Sequence, residues 1–472
     1  MQERLGQSRF SGISRNSYIA RRRELMRRVG SGVILLPGNE LSPMNYPNNA
    51  YRFRQDSTLR YYFGVNRPSL TALIDVESGE DYLFGDDYTL EEVIWCGTQP
   101  TIEQLAQEVG VKNALPKSQL KPLIDKTLKQ GRKIHTLPAY RAETKLQLSE
   151  LLDITPHQAT QINSPELLFA VAAMREVKSQ EEVAAVEDAI TIGYQMHTQA
   201  MKMCRVGRSE REIAGALEGI ACSWGAGVSF NTIATQNGET LHNISQDGVL
   251  EDGRMFLLDA GAESLHGYCS DHTRTYPVNG RFTSIQRELY NIVLDVHNHI
   301  AQIARPMPYV ELHRLSQLRL AQGLLSAGLV EGSAEDIVES GATTLFMPHG
   351  LGHGLGMDVH DCENIGERSL DFSHLIEQAK ASQTAIYRPS WQLRQGTILT
   401  NEPGLYFIPS LIEARRREGA YRGVVRYDKL ESLYNFGGIR IEDDILITED
   451  GCRVLGEQSI PKSVEQIEEV MQ

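Results

Sequence analysis

Four short segments combine carboxylates and histidines with glycines and apolar runs, a composition suited to holding metal ions. The first, Leu257-Leu258-Asp259-Ala260-Gly261-Ala262-Glu263, returns after Gly267 as Tyr268-Cys269-Ser270-Asp271-His272-Thr273-Arg274-Thr275. It reads as an antiparallel hairpin, with Asp259 ending an apolar strand and Asp271 near the matching depth on the return. Two carboxylates that face each other away from water need a cation between them. Taken alone, the pattern is equally served by an Asp271–Arg274 ion pair with Asp259 capping a turn.

The second segment, Phe346 to Asp361, carries His349, His353 and His360 among glycines, which give imidazoles room to converge. A single such histidine is more often a satisfied core residue, so the spacing is what matters. In the third, Leu399-Thr400-Asn401-Glu402-Pro403-Gly404-Leu405-Tyr406, Glu402 ends an apolar strand before a Pro-Gly turn. In the fourth, Gly437 to Ile445, strand alternation turns Arg440 and Glu442 to one face, where they could also simply pair. Together Asp259, Asp271, Glu402 and Glu442 bring four negative charges, and His353 a neutral nitrogen. That set balances two divalent cations in an oxygen-rich site and favours manganese or cobalt over a thiolate-type zinc site. Paired metals polarise a carbonyl and activate water, the recurrent device for hydrolysing amides and phosphates.

These residues need rigid elements to hold them. Before about residue 170 the chain reads as α/β: a helix over Tyr18 to Val29, an apolar run Gly32 to Leu36, and a hairpin from Leu70–Val76 to Asp81–Phe84. Ser179-x-x-Glu182 is a capping box that opens a long amphipathic helix to Met203. The predicted domains are therefore 1–170 and 171–472. Further helices are predicted around Ser209–Trp224 and Ser284–Ala304, and strands around Met255–Ala260 and Tyr268–Thr275. Thr397 to Thr448 reads mainly as strand, interrupted by a loop-rich insertion between Pro409 and Phe436. Helices mixed with strands in no regular alternation indicate an α+β catalytic domain.

Composition narrows the function classes. The 472 residues are 41% hydrophobic and 23% charged, as in a globular protein with a large interior. A net charge of -14 argues against nucleic acid as a partner. The basic run Arg21, Arg22, Arg23, Arg27 and Arg28 is expected to be a solvated helix face. Six scattered cysteines without a C-x-x-C pair indicate neither a disulfide framework nor a zinc knuckle. The polar stretch Met1 to Phe10 lacks the apolar core of a signal peptide, and no apolar run is long enough to span a bilayer, so the expectation is a cytoplasmic protein with no membrane partner.

The motifs D-A-G-A-E, S-D-H-T-R-T, H-G-L-G-H-G-L-G-M-D-V-H-D, N-E-P-G-L-Y and G-G-I-R-I-E-D-D, in this order, resemble the pita-bread-fold metallopeptidases, specifically the branch containing aminopeptidase P and prolidase. The resemblance covers most of the chain. It implies a C-terminal pita-bread catalytic domain of the creatinase/aminopeptidase type behind a smaller α/β N-terminal domain. By position, Asp259 would chelate one metal, Asp271 and Glu442 would bridge both, and His353 and Glu402 would complete the second. Glu402 would also move the proton of the attacking water. His360 would contact the substrate carbonyl, His349 and His242 would line a proline pocket, and Arg440 and Tyr406 would orient the carboxylates and the peptide.

The implied substrate is a peptide with proline second, cleaved by an Xaa-Pro aminopeptidase. The alternatives are an Xaa-Pro dipeptidase and a non-catalytic peptide-binding relative. The implied cofactor is a pair of divalent ions, manganese first, cobalt or zinc otherwise, in a homodimer or homotetramer. Tyr51 to Ser57 and Tyr61 to Gly64 resemble the family's N-terminal domain. Ile94-Trp95-Cys96-Gly97 matches a segment that reaches a neighbouring subunit, although Trp95 would serve equally as a core aromatic. Three features depart from the pattern: Asn243 after His242, His272 after Asp271, and a long loop from Asp361 to Arg394. The region Phe407 to Ile412 with its insertion is more similar to prolidase.

Overall fold

The apolar run after the first helix becomes the centre of a sheet. In the computed structural model, which describes residues 12–162, 164–363 and 391–472, helix α1 (Arg15–Val29) leads into strand β1 (Val33–Pro37). Val33, Ile34 and Leu35 are completely buried because β1 lies inside a five-stranded mixed sheet. It pairs antiparallel with β2 (Thr71–Asp75) and parallel with the short strand β5 (Ile134–His135). Strand β3 (Glu80–Phe84) makes the expected hairpin with β2 and pairs in parallel with β4 (Asn113–Leu115). Val33, Leu35, Leu73 and Phe84 meet Ile124, Leu148 and Leu151 from covering helices in one core.

The basic run on α1 is not a uniform solvated face. Arg21 and Arg22 are buried. Arg22 donates to Asp81 at 2.7 Å and to the carbonyls of Tyr62, Val109 and Gly110, which satisfies a guanidinium that burial would otherwise penalise. Arg27 and Arg28 stay at the surface and pair with Glu24. Charge pattern alone does not reveal that a neighbouring strand supplies Asp81.

The chain divides into two compact units, one holding Gly12–Arg175 and the other Glu176–Asp361 with residues 391–472. In the second unit, helix α2 (Gln180–Met203) starts at the capping box of Ser179 and Glu182. Its inward stripe includes Ala185, Val186, Ala189, Ile190, Gly193, Met196, Ala200 and Met201. Helices α3 (Glu210–Trp224), α4 (Ser284–Ile303) and α5 (Tyr309–Ser326) complete the layer of long helices, the first two also opened by capping boxes.

Antiparallel strands carry the site. Strand β6 (Ile233–Thr235) pairs with β7 (Met255–Ala260), which pairs in turn with β8 (His272–Pro277), bringing Asp259 opposite Thr273. Strand β9 (Ile398–Asn401) pairs with β12 (Asp443–Ile447), and β10 (Gly404–Tyr406) with β11 (Gly438–Arg440). A bridge between Thr273 and Glu442 joins β8 to the segment linking β11 and β12. The predicted loop-rich insertion is instead partly helical, with helices at Pro409–Glu418 and Tyr427–Leu430. The stretch Met1 to Phe10 and most of the loop from Asp361 to Arg394 lie outside the described residues.

Candidate metal centre

Strand alternation decides which side chains reach the centre. On β8 and the residue before it, Asp271, Thr273 and Thr275 share one face and His272 and Arg274 the other. Arg274 therefore cannot pair with Asp271; it donates to Asp443 at 2.6 Å and to the carbonyls of Glu442, Ile460 and Pro461. The same rule separates Glu442 from Asp443. Arg440 faces the centre but does not pair with Glu442 within ion-pair distance; its guanidinium donates to Asp259 at 2.6 Å, to the Tyr406 hydroxyl at 2.8 Å and to Thr273 at 3.1 Å.

Asp271, His353 and Glu442 are buried and offer ligand atoms within 4.8 Å of one another. His353 Nε2 lies 3.4 Å from Asp271 Oδ2 and 3.6 Å from Glu402 Oε1. Glu442 Oε2 accepts from Thr273 Oγ1 at 2.6 Å, and Glu402 Oε1 from Thr400 Oγ1 at 3.2 Å. The loop bearing His353 lies directly on β9: the N–H of His353 donates to Thr400 Oγ1, and that of Thr400 to the His353 carbonyl. Gly352 makes this approach possible, since a Cβ there would sit 1.9 Å from the Thr400 carbonyl oxygen.

The donor set fits divalent cations. Asp259 Oδ1 and Asp271 Oδ1 are buried without a hydrogen-bond partner. Burial pushes the Asp271 and Glu442 carboxyls well above the usual carboxylate range, and neighbouring carboxylates add to the shift, Glu442 and Asp259 acting on Asp271 and Glu402 and Asp259 on Glu442. Glu402 is pushed from its ordinary 4.5 to about 7, by burial first, with Arg440 opposing and Asp259 adding. Without a cation the cluster would have to hold protons, and four carboxyl groups with one imidazole suit hard or borderline divalent ions.

Around this cluster His349 Nε2 lies 2.9 Å from the Tyr406 hydroxyl, and burial with Arg440 nearby lowers its pKa to about 3, so the ring is neutral. Burial raises Tyr406 to about 12, against the pull of Arg440. His360 is exposed, and its ring stacks on His353 with centroids 3.7 Å apart. His242 is exposed, close enough for its charge to act on His349. Asn243 donates to Thr235, and His272 is buried on the far face with its pKa lowered to about 3, first by desolvation and then by His197. Thr273, Thr400 and Asp444, whose carboxylate accepts the Asp271 N–H, were not singled out from sequence. The two threonines each lie two residues from a candidate ligand, a same-face spacing that is a usable signal.

Residues 184–449 match the model of metallopeptidase family M24, and residues 18–135 match the aminopeptidase P N-terminal domain. The chain belongs to metallopeptidase family M24. It is similar to the Xaa-Pro aminopeptidase of Escherichia coli, with 31% identity covering 98% of this chain and 99% of that protein. A probable Xaa-Pro aminopeptidase of Aspergillus fumigatus is 30% identical over 93% of this chain and 92% of its own. Among solved structures, E. coli aminopeptidase P in its low-pH form and with the inhibitor Pro-Leu each superpose with a TM-score of 0.78, at 30% identity over 98% of this chain and 99% of theirs. Membership in M24 agrees with the expected two-domain fold and makes this chain a metal-dependent peptidase that uses divalent ions. Among the described residues no helix is long and apolar enough to cross a membrane.

Proposed function

We propose that this peptidase removes the N-terminal residue from peptides whose second residue is proline, with two manganese ions held by Asp259, Asp271, His353, Glu402 and Glu442. The observation that carries the reading is the buried carboxylate cluster with its partnerless Asp259 and Asp271 oxygens, in a chain similar along nearly its whole length to Xaa-Pro aminopeptidases. When bound, the ions supply Lewis acidity toward the scissile carbonyl and toward the attacking water. Glu402, steadied by Thr400, takes the proton of that water and passes it to the departing proline nitrogen. His360 donates to the carbonyl oxygen as negative charge develops there. Neutral His349, with His242, lines the proline pocket, and Arg440 holds Asp259 and Tyr406 in register.

On this reading the chain has an N-terminal domain over 1–170 and a catalytic domain over 171–472, assembles as a homodimer or homotetramer, and works in the cytoplasm. The exposed Trp95 supports the assembly. It is 80% accessible on helix Leu90–Cys96, beside exposed Leu90 and Ile94, and so is not a core aromatic of its own unit. Metal-stripped protein resupplied with manganese should cleave an Xaa-Pro-Xaa tripeptide. Cleavage of the Xaa-Pro dipeptide alone would make it a dipeptidase, and silence on both with every metal would leave a peptide-binding role.

A further inference from the structure

We propose that Lys178 is a positioning residue that acts through Asp361 to set the place of His360 relative to the Glu402 strand. The inference rests on the reading of His360 as the group that meets the substrate carbonyl. Lys178 is fixed at both ends. Its N–H donates to the Gly396 carbonyl at 2.8 Å, and Val177 bridges to Thr397, so its backbone is tied to the residues that enter β9 and lead to Glu402. Its side chain runs inward, with Nζ 3.1 Å from Asp361 Oδ2 and 3.4 Å from the Glu176 carbonyl oxygen.

Both side chains of the pair are buried, at 3% and 4% accessibility. The desolvation cost of such a pair offsets most of its attraction, so stability alone is a poor reason for it, whereas a buried pair does hold two elements in one register. Here the register is that of the histidine loop. Asp361 donates its N–H to the Gly354 carbonyl at 2.9 Å and accepts the Asp358 N–H at 3.4 Å. Gly356 lies so close that a Cβ there would be 2.6 Å from Asp361 Oδ2. The loop is thus wrapped around one carboxylate, with His353 at its start and His360 immediately before that carboxylate. The two rings stack at 3.7 Å with planes 13° apart, a geometry that a shift of Asp361 would disturb.

The test compares wild type with Lys178→Met, Lys178→Arg and the double variant Lys178→Met/Asp361→Asn, measuring kcat and KM on a Xaa-Pro-Xaa tripeptide and bound manganese per chain. Lys178→Met should lower kcat by roughly 10- to 100-fold, the range expected for a misplaced group, with KM and manganese content unchanged. Lys178→Arg should restore most of the loss. The double variant removes both charges of the pair together and so is the folding control for Lys178→Met; it should lose no more than Lys178→Met, as two members of one unit do. Wild-type kcat in Lys178→Met and in the double variant, or kcat falling only in step with manganese content and thermal stability, would overturn the proposal. A crystal structure of the double variant reads the same claim without activity: the His353–His360 stacking should be lost, and its retention would count against the role of Lys178. A wild-type enzyme silent on tripeptides would instead sink the aminopeptidase reading.

Discussion

At the scale of single residues, the centre is governed by carboxyl groups that share a space water does not fill. Glu402 is raised from its ordinary 4.5 to about 7, and Asp271 and Glu442 are raised with it. Between those values the unfolded chain has released these protons while the folded, metal-free chain retains them. The folded state therefore binds more protons, and its stability falls as pH rises. Metal-stripped protein should lose thermal stability progressively from about pH 4.5 to about 7, and the gain in melting temperature on adding manganese should grow over the same interval. Calorimetry across that range checks it; metal-free melting that rose toward pH 7 would contradict the carboxyl shifts. The candidate ligands were legible in sequence because carboxylates at strand ends and histidines among glycines recur in four short segments, although each segment alone had an ordinary ion-pair or capping reading. Their partners were less so: Arg440 lies beside Glu442 in sequence but pairs with Asp259, 181 residues away, through sheet pairing that no local pattern encodes.

At the scale of elements, the capping box before α2, the helices α3 and α4 and the apolar β7 were readable because their signals are local. Strand β8 begins later than its residues suggested, at His272 rather than Tyr268. The insertion after Pro409 carries local helix signals that its loop-rich composition masks: proline at the first helical turn and Arg415, Arg416 and Arg417 in the last. Packing between elements adds a constraint of its own. The histidine loop meets β9 so closely that Gly352→Ala would drive a methyl into the Thr400 carbonyl. The variant should lose about 1–3 kcal/mol of stability, as overpacked sites do, and bind manganese more weakly because His353 and Thr400 shift together. Thermal melts and a metal titration check this, and wild-type values for both would show that the contact yields without cost.

At the scale of the whole molecule, a net charge of -14 works against polyanions as partners, and among the exposed apolar residues of the described surface three sit together on the helix Leu90–Cys96. Leu90, Ile94 and Trp95 expose 77%, 71% and 80% of their area on one short helix. If this helix is where copies of the chain meet, Trp95→Glu should shift the sedimenting species toward the 52.8 kDa monomer at micromolar concentration while leaving the fold intact. Unchanged assembly size would place the contact elsewhere.

What the sequence determined by itself is the chemistry: four carboxylates and a histidine at strand ends and among glycines, an α/β first part, an α+β second part, and the family these motifs resemble. Such features are local, because caps, strand alternation and residue type act within a few positions. Only the tertiary structure decided which charges meet. Arg22 goes inward to Asp81, Arg274 turns away from Asp271 to Asp443, Arg440 reaches Asp259, and Lys178 reaches Asp361 across 183 residues. A buried charge is bound to whichever opposite charge the packing of strands and loops brings within about 3 Å, and that distance is a property of the assembled fold.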